Sequence, residues 1–277
     1  MSHVNGRSMR IALILAWLVA AIALPARAAE AATRYVALGD SIAWGDGASD
    51  PASTAYVPLL ADYFAGIAHG GAKQSVNLAV RGETTASFIA GGQLAAAMAQ
   101  IGDPDSDTRV VTLSIGGNDL LDLLNDPADP CVQNPADQTC QQLVAAAIGG
   151  VAERLPNILG GLSVALRSDP DGGRIYVLTP YNPFGGTGSP YESAVDVALL
   201  GSDLRIDCAA LQTDPTAAGL NDVVACISMV AGATVVDGYA AFGDGALQLT
   251  HIGDPGFNIH PNDLGYALIA KAHRAAP

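Results

Sequence analysis

Five short apolar runs, each rich in strand-forming residues and ended by turn residues, alternate with helical patterns along this chain. The runs cover residues 35–38, 76–80, 110–115, 175–178 and 234–236. Strands that alternate with helices form parallel sheets covered on both faces, so the pattern predicts an α/β fold with a mainly parallel sheet. Right-handed crossovers then bring the carboxyl ends of the strands to one edge, where ligands bind in such folds.

The helical patterns differ in length and regularity. Before the fourth strand, apolar residues recur at helical spacing at Ile148, Val151, Leu155, Ile158, Leu162 and Leu166. Pro156 and the pair Gly160-Gly161 fall inside this pattern and predict that its helix is kinked or split. The last helix is predicted to have Pro261 at its first position and Asp263 in its first turn.

The N-terminal segment has the features of an export signal. Arg7 and Arg10 precede an apolar run over residues 11–24, and small residues follow at Ala26 and Ala28. The run is too short to span a bilayer, so a cleavable signal peptide over residues 1–28 is favoured over an uncleaved anchor. We therefore expect a secreted or periplasmic protein with one domain over residues 29–277.

Acidic residues outnumber basic ones in this chain. It has 27 Asp and Glu against 13 Lys and Arg, a net charge of −14, and loss of the signal peptide removes three arginines and no acidic residue. A surface with this charge repels polyanions, which excludes nucleic acid as a partner.

Four cysteines lie in the predicted domain, and export favours disulfides over metal binding. Three pairings are open, of which proximity in the sequence favours Cys131 with Cys140 and Cys208 with Cys226. The absence of a Cys-x-x-Cys spacing disfavours a zinc or redox site, and we expect neither a metal nor a cofactor.

The turn after the first strand contains Gly39-Asp40-Ser41, which places Ser41 at the strand's carboxyl end. A hydroxyl at this edge is a candidate nucleophile. The alternative is that Asp40 and Ser41 only cap the helix that follows.

Acyl transfer also needs a base and donors aimed at the oxyanion that forms. Gly82 and Asn118 follow the second and third strands and can supply a backbone and an amide N–H, although an ordinary turn and a helix cap are the alternatives. His260 comes after the last strand and just before a helix, where its ring can reach Ser41. The other two histidines outside the signal peptide and the C-terminal tail, His69 and His251, have no such position.

These residues stand in four blocks that resemble those of the GDSL, or SGNH, hydrolase family. The blocks are Gly39-Asp40-Ser41 with Gly45, Asn77-x-Ala79-x-x-Gly82-x-Thr84, Gly116-Gly117-Asn118-Asp119, and His260-Pro261-Asn262-x-x-Gly265-Tyr266. The resemblance spans residues 35–270 in the family's order. It implies a three-layer α/β/α sandwich with a flavodoxin-like sheet of about five strands. It also implies Ser41 as nucleophile, His260 as base, and an oxyanion hole of Ser41, Gly82 and Asn118.

One position departs from the family's pattern. The family usually has Asp three residues before the histidine, and this chain has Phe257 there. Three groups remain to orient the imidazole: Asp254, a backbone carbonyl near Phe257, or Asp237 after the fifth strand. We expect the backbone carbonyl, with Asp254 next, and a structural role for Asp237.

The expected function is a secreted serine ester hydrolase that acts as a monomer on short-chain acyl or lipid esters and contacts lipid surfaces. A carbohydrate acetylesterase or a phospholipase is the alternative within this class. A non-catalytic carbohydrate- or lipid-binding module on the same fold is the alternative outside this enzyme class.

Two loop-rich stretches, residues 125–141 and 185–223, are predicted to wall the active-site edge. Trp44, Tyr56 and Phe184 are candidates to line an acyl pocket, with core packing as the alternative for at least two of them.

Overall fold

Five strands form one sheet: β1 (Ala32–Gly39), β2 (Gln74–Asn77), β3 (Ser106–Ser114), β4 (Arg174–Leu178) and β5 (Thr234–Val236). Their order across the sheet is β2-β1-β3-β4-β5, and every neighbouring pair is parallel. The computed structural model describes residues 32–66, 72–166, 173–213 and 218–277. The predicted parallel, flavodoxin-like sheet is confirmed, whereas the predicted signal peptide lies outside the described residues.

Helices connect the strands and cover both faces of the sheet. They are α1 (Ser41–Trp44), α2 (Tyr56–Gly66), α3 (Thr85–Ala90), α4 (Gln93–Ile101), α5 (Gly117–Leu121), α6 (Pro130–Gln133), α7 (Gln138–Leu166), α8 (Glu192–Leu200), α9 (Cys208–Thr213), α10 (Leu220–Val230), α11 (Gly238–Phe242), α12 (Ala246–Leu249) and α13 (Asp263–Ala275). A 3₁₀ turn, Asp122–Leu124, follows α5.

Alternate residues of the strands point into two separate apolar cores. Val36 and Leu38 of β1 face the core that contains α4, α7 and α10, whereas Tyr35 and Ala37 face the core that contains α2 and α13. Because both faces are covered, the central parts of β1, β3 and β4 are mostly apolar, which explains why short apolar runs located them, whereas the edge strand β2 is largely exposed. These two cores make the fold a three-layer α/β/α sandwich.

Helix α7 runs unbroken through the predicted interruption. Its 29 residues include Pro156, and the expectation of a split helix is therefore wrong. Leu155, Ile158, Leu159 and Leu162 are fully buried in the core. Each such side chain contributes about 1.5–3 kcal/mol, so together they outweigh the roughly 3 kcal/mol cost of an internal proline. Helix α7 is also long and apolar enough to cross a membrane by length and composition alone, and nine of its residues are buried within the domain.

The last helix begins two residues later than predicted. Asn262 is its N-cap, with its side-chain oxygen accepting hydrogen bonds from the backbone of Leu264 and Gly265. Pro261 lies before the cap and pairs with Thr250 in an isolated antiparallel bridge. This bridge joins the two ends of the turn between α12 and α13.

Candidate active site

The strand order reverses between β1 and β3, and ligands in open α/β sheets bind at this switch point. Ser41 follows β1 there as the first residue of α1, and Asn118 lies in α5 after β3. Asp40 caps α1, since its Oδ1 accepts a hydrogen bond from the backbone of Ile42 at 3.0 Å. Asp40 therefore caps the helix, as the alternative prediction had it for both residues. The hydroxyl of Ser41 has a different partner.

That partner is His260, which the loop before α13 brings to the same edge. Nε2 of His260 lies 2.9 Å from Oγ of Ser41, although 219 positions separate the two residues. On the other side of the ring, Nδ1 lies 2.9 Å from Oδ1 of Asn258. Ser41, His260 and Asn258 form a continuous chain of side-chain hydrogen bonds.

The orientation of the Asn258 amide follows from a second contact. Oδ1 also lies 3.0 Å from the backbone N–H of His260, which can only donate, so the amide atom facing it must be the oxygen. An oxygen at this place accepts the proton of Nδ1. The imidazole is therefore held in the tautomer whose Nε2 can accept a proton from Ser41.

The expectations for the group that orients His260 need correction. The contact to Nδ1 is made by the side chain of Asn258 rather than by a backbone carbonyl near Phe257. Asp254 is engaged elsewhere, because its Oδ2 lies 2.6 Å from Nδ1 of His251. Asp237 has the structural role expected for it and caps α11 through the backbone of Ala240.

The surroundings of His260 favour its neutral form. Burial lowers the pKa of the ring, and the charges of Arg81 and His251 lower it further, while Asp46 acts in the opposite direction. A histidine with a lowered pKa is unprotonated at neutral pH. His260 is thus in the state that a general base requires.

Asn118 lies in the first turn of α5, and Gly82 lies in the turn after β2. Nδ2 of Asn118 donates one hydrogen bond to the backbone carbonyl of Glu83 at 3.0 Å, which leaves its second N–H to point elsewhere. Gly82 has a φ of +72°, a conformation that side chains disfavour. The N–H of Ser41 is one of the N-terminal helix donors that have no acceptor within the helix.

A buried glutamine, which sequence reasoning missed, ties these loops together. The side chain of Gln93 exchanges two hydrogen bonds with the backbone of Gly39, at 2.7 and 3.0 Å. Its Nε2 also lies 2.5 Å from Oε2 of Glu83, whose backbone carbonyl is the acceptor for Asn118. Gln93 and Glu83 thus link the end of β1, two residues before Ser41, to the segment after Gly82 and to the side chain of Asn118. A lone Gln near the start of a helix gives no sequence signal for this role.

Asp40 is a buried carboxyl directly beside Ser41. Burial raises the pKa of Asp40 to about 7, against the effect of hydrogen bonds from the backbone of Ile42 and the side chain of Ser114. The carboxyl therefore titrates near neutral pH rather than near pH 4.

A cavity of about 670 Å³ opens beside Ser41, Asn118 and His260. Its volume lies within the range of pockets that enclose drug-sized ligands. Most of its lining is apolar and comes from α5, the 3₁₀ turn, α7 and α8, including Leu120, Leu124, Val144, Ile148, Val195 and Leu199. Both stretches that were predicted to wall the active-site edge contribute to the lining. Gly82 is exposed and does not line this cavity.

The three candidate aromatic residues have different environments. Phe184 lines the cavity, and Tyr56 is buried in the core between α2 and α13. Trp44 is 45% exposed and lies under the guanidinium of Arg81, whose Cζ is 5.1 Å from the ring centroid. Only Phe184 of these three is placed to contact a ligand in the cavity.

The favoured disulfide pairing is confirmed. Cys131 is joined to Cys140, and Cys208 is joined to Cys226. Cys131 and Cys140 line the cavity, so the first disulfide holds one of its walls. Among the described residues, no group of three or more His, Cys, Asp or Glu side chains is arranged to hold a metal ion.

Comparison with known proteins gives a family and a fold. The sequence model of the GDSL-like Lipase/Acylhydrolase family matches residues 37–268. No curated protein matches the chain.

Solved structures with the same fold include three lipolytic enzymes. The lipase Lip_vut3 from a goat rumen metagenome has a TM-score of 0.60 at 20% identity, with 88% of this chain and 96% of that chain covered. An extracellular lipase from Streptomyces rimosus has a TM-score of 0.56 at 25% identity, with 89% and 100% covered. Phospholipase A1 from Streptomyces albidoflavus NA297 has a TM-score of 0.60 at 24% identity, with 89% and 100% covered.

Proposed function

Because the chain belongs to the GDSL-like lipase/acylhydrolase family, we propose that it is an exported serine hydrolase of lipid esters, with Ser41 as nucleophile and His260 as base. The observation that carries this proposal is the 2.9 Å contact between Oγ of Ser41 and Nε2 of His260 beside an apolar cavity. Ester hydrolysis is the chemistry of the family.

In the first half of the reaction, Oγ of Ser41 attacks the ester carbonyl carbon while its proton passes to Nε2 of His260. The Nδ1 proton stays on the ring, hydrogen-bonded to Oδ1 of Asn258. Negative charge on the former carbonyl oxygen is received by the backbone N–H groups of Ser41 and Gly82 and by the amide of Asn118. The C–O bond to the alcohol then breaks, and His260 gives its proton to the leaving oxygen.

In the second half, water attacks the acyl-enzyme and His260 takes its proton. The carbonyl oxygen again becomes negative and is held by the same donors. Collapse of this intermediate releases the carboxylic acid and returns the proton from His260 to Oγ of Ser41. Atoms and protons balance without a metal or an organic cofactor.

The apolar cavity supports a substrate ester with an apolar acyl group. Leu, Val and Ile side chains make up much of its lining and can take up the hydrocarbon chain of an acyl group. Each buried methylene contributes about 0.8 kcal/mol, so a chain of eight or more carbons gains far more from this cavity than an acetyl group does. This favours lipid esters over acetylated carbohydrates.

Export is supported by the two disulfides and by the N-terminal sequence. Disulfides persist in oxidising compartments, and each of the described cysteines is paired. A solved structure of the same fold is described as an extracellular lipase. We propose release of the protein as a monomer after removal of residues 1–28.

Covalent labelling tests the proposal. A fluorophosphonate should label the folded protein stoichiometrically at Ser41, and Ser41→Ala should remove both the label and the hydrolysis of p-nitrophenyl esters. Ser53→Ala, which changes an exposed serine outside the cavity lining, is the matched control and should behave as the wild type. Equal hydrolysis by the wild type and Ser41→Ala would contradict catalysis by Ser41 and favour a non-catalytic binding module.

A substrate panel tests the lipid assignment separately. p-Nitrophenyl acetate, octanoate, laurate and palmitate should give kcat/KM values that rise with chain length to at least eight carbons. A maximum at acetate, together with release of acetate from acetylated xylan, would support the carbohydrate acetylesterase instead.

A further inference from the structure

His251, which has no place in the proposed mechanism, makes a strong hydrogen bond through each ring nitrogen. Nδ1 lies 2.6 Å from Oδ2 of Asp254, and Nε2 lies 2.8 Å from the backbone carbonyl oxygen of Gly47. An ionised carboxylate and a carbonyl can only accept, so both nitrogens must carry a proton if both bonds are to form. The ring of His251 is therefore an imidazolium in this arrangement.

The two contacts join the loop behind Ser41 to the loop that carries His260. Gly47 follows α1, which begins at Ser41, and it packs directly on the base. A Cβ at Gly47 would lie 2.5 Å from the carbonyl oxygen of Pro261 and 3.0 Å from Cβ of His260. From the opposite side, the backbone N–H of His251 donates to the carbonyl of His260 at 3.0 Å. His251 thus binds Gly47 through its side chain and His260 through its backbone.

We infer that the His251 imidazolium is a positioning group for catalysis, because it clamps the Gly47 loop to the His260 loop and so holds the base against Ser41. This inference rests on the proposed function. Loss of one proton from the ring breaks one of the two clamping bonds. The distance between Ser41 and His260 then depends on the remaining contacts between the loops.

The charged groups around the clamp favour its protonated form. The hydrogen bond to Asp254 raises the pKa of His251, and the carbonyl of Gly47 and the charge of Asp263 raise it further. The positive charge on His251 in turn adds to the effect of burial in lowering the pKa of His260.

Other charged groups near these loops include Asp40, Asp46 and Arg81. Nε of Arg81 lies 2.6 Å from Oδ1 of Asp46, and the charge of Asp46 raises the pKa of His260 while that of Arg81 lowers it. Burial raises the pKa of Asp40, beside Ser41, to about 7, so this carboxyl titrates in the same pH range. The pKa of His251 is thus above the ordinary value for histidine, and the pKa of His260 is below it. A pH range exists in which His260 is neutral and His251 is charged.

This range predicts a bell-shaped dependence of kcat/KM on pH. Activity rises as His260 loses its proton, at a pH below 6.5, and falls as His251 loses its proton, at a pH above 6.5. Replacement of Asp254 removes the largest cause that keeps His251 protonated.

The test is the pH profile of a soluble p-nitrophenyl ester for the wild type, His251→Gln and Asp254→Asn, with Ser41→Ala measured beside them. We expect His251→Gln to abolish the falling limb and to lower kcat about 3- to 10-fold, with KM changed less than twofold. Asp254→Asn should move the falling limb to lower pH. Asp62→Asn, an exposed carboxylate on α2, is the matched control and should leave the profile unchanged.

An NMR titration of ¹³Cε1-labelled histidine in the wild type gives a second measurement that needs no folded variant. A pKa for His251 above 6.5 supports the clamp. A value at or below 6.5, or an unchanged falling limb in His251→Gln, overturns it. If Ser41→Ala is inactive in that case, the clamp alone is wrong, whereas activity in Ser41→Ala contradicts the proposed nucleophile.

Discussion

Oδ1 of Asn258 accepts two hydrogen bonds from His260, one from Nδ1 at 2.9 Å and one from the backbone N–H at 3.0 Å. In Ser-His-Asp triads an ionised acid occupies this place, where it sets the tautomer and stabilises the imidazolium that forms. Asn258 sets the tautomer and carries no charge. In the proposed mechanism, Asn258 therefore orients the imidazole as the acid does but makes no electrostatic contribution.

Replacement of Asn258 should separate these two functions. Asn258→Ala should lower kcat about 10- to 100-fold with KM nearly unchanged, because the ring can then adopt the unproductive tautomer. Asn258→Asp should restore orientation and raise the pKa of His260, which moves the rising limb of the pH profile to higher pH. Steady-state kinetics from pH 5 to 9 measure both effects. Wild-type kcat in Asn258→Ala would show that another group orients the ring.

Removal of the Asn118 amide should affect the transition state more than substrate binding. Loss of one oxyanion donor costs about 10²- to 10³-fold in kcat in other hydrolases, and we expect a loss of that size for Asn118→Ala with a small change in KM. Asn125→Ala is a suitable control, because this asparagine is exposed and bonds only to Asp122 in its own turn. A loss below threefold in Asn118→Ala would remove its amide from the oxyanion hole.

The free energy of unfolding should fall as pH rises, because folding raises the pKa of Asp40. Its pKa is about 7 in the folded protein and about 3.9 in the unfolded chain. A carboxyl whose pKa is raised by folding stabilises the native state only while protonated, so its contribution is lost as pH rises from about 4 to above 7. Asp40→Asn cannot ionise and should gain stability relative to the wild type by roughly 2–3 kcal/mol between pH 5 and pH 8.

Urea denaturation of both proteins at the two pH values measures this difference. Since the comparison is between pH values, a constant cost of the substitution cancels. An unfolding free-energy difference that does not change with pH would show that Asp40 is ionised throughout.

The sheet and most of the proposed site follow from local sequence. Buried parallel strands need continuous apolar runs, and the parallel topology brings the turns after them to one edge. Ser41 and Asn118 could be placed because they directly follow strands. His260 could be placed because its block is specific to the family. Packing changed local features of the prediction. In α7, burial of one face keeps the helix continuous through Pro156.

The groups that support the site could not be read from the sequence. The family's usual spacing places the group that orients the histidine at position 257, which is Phe257 in this chain. The side chain that contacts His260 is that of the next residue, Asn258. Asp254 was a candidate by proximity, but the turn directs it to His251. Such contacts depend on side-chain rotamers and loop geometry, which have no periodic pattern in the sequence. Gln93 was missed for the same reason.

Narrowing the cavity should change the preferred acyl chain. Ala198 lines the cavity from α8, so Ala198→Trp should lower kcat/KM for p-nitrophenyl palmitate at least tenfold and leave the value for acetate within twofold. The tenfold loss corresponds to about 1.4 kcal/mol, or roughly two buried methylene groups. Val230→Trp, at a 90% exposed residue on α10, is the control for a bulky aromatic substitution. An equal loss with both esters would indicate damage at Ser41, and no loss with either would place the acyl chain outside this cavity.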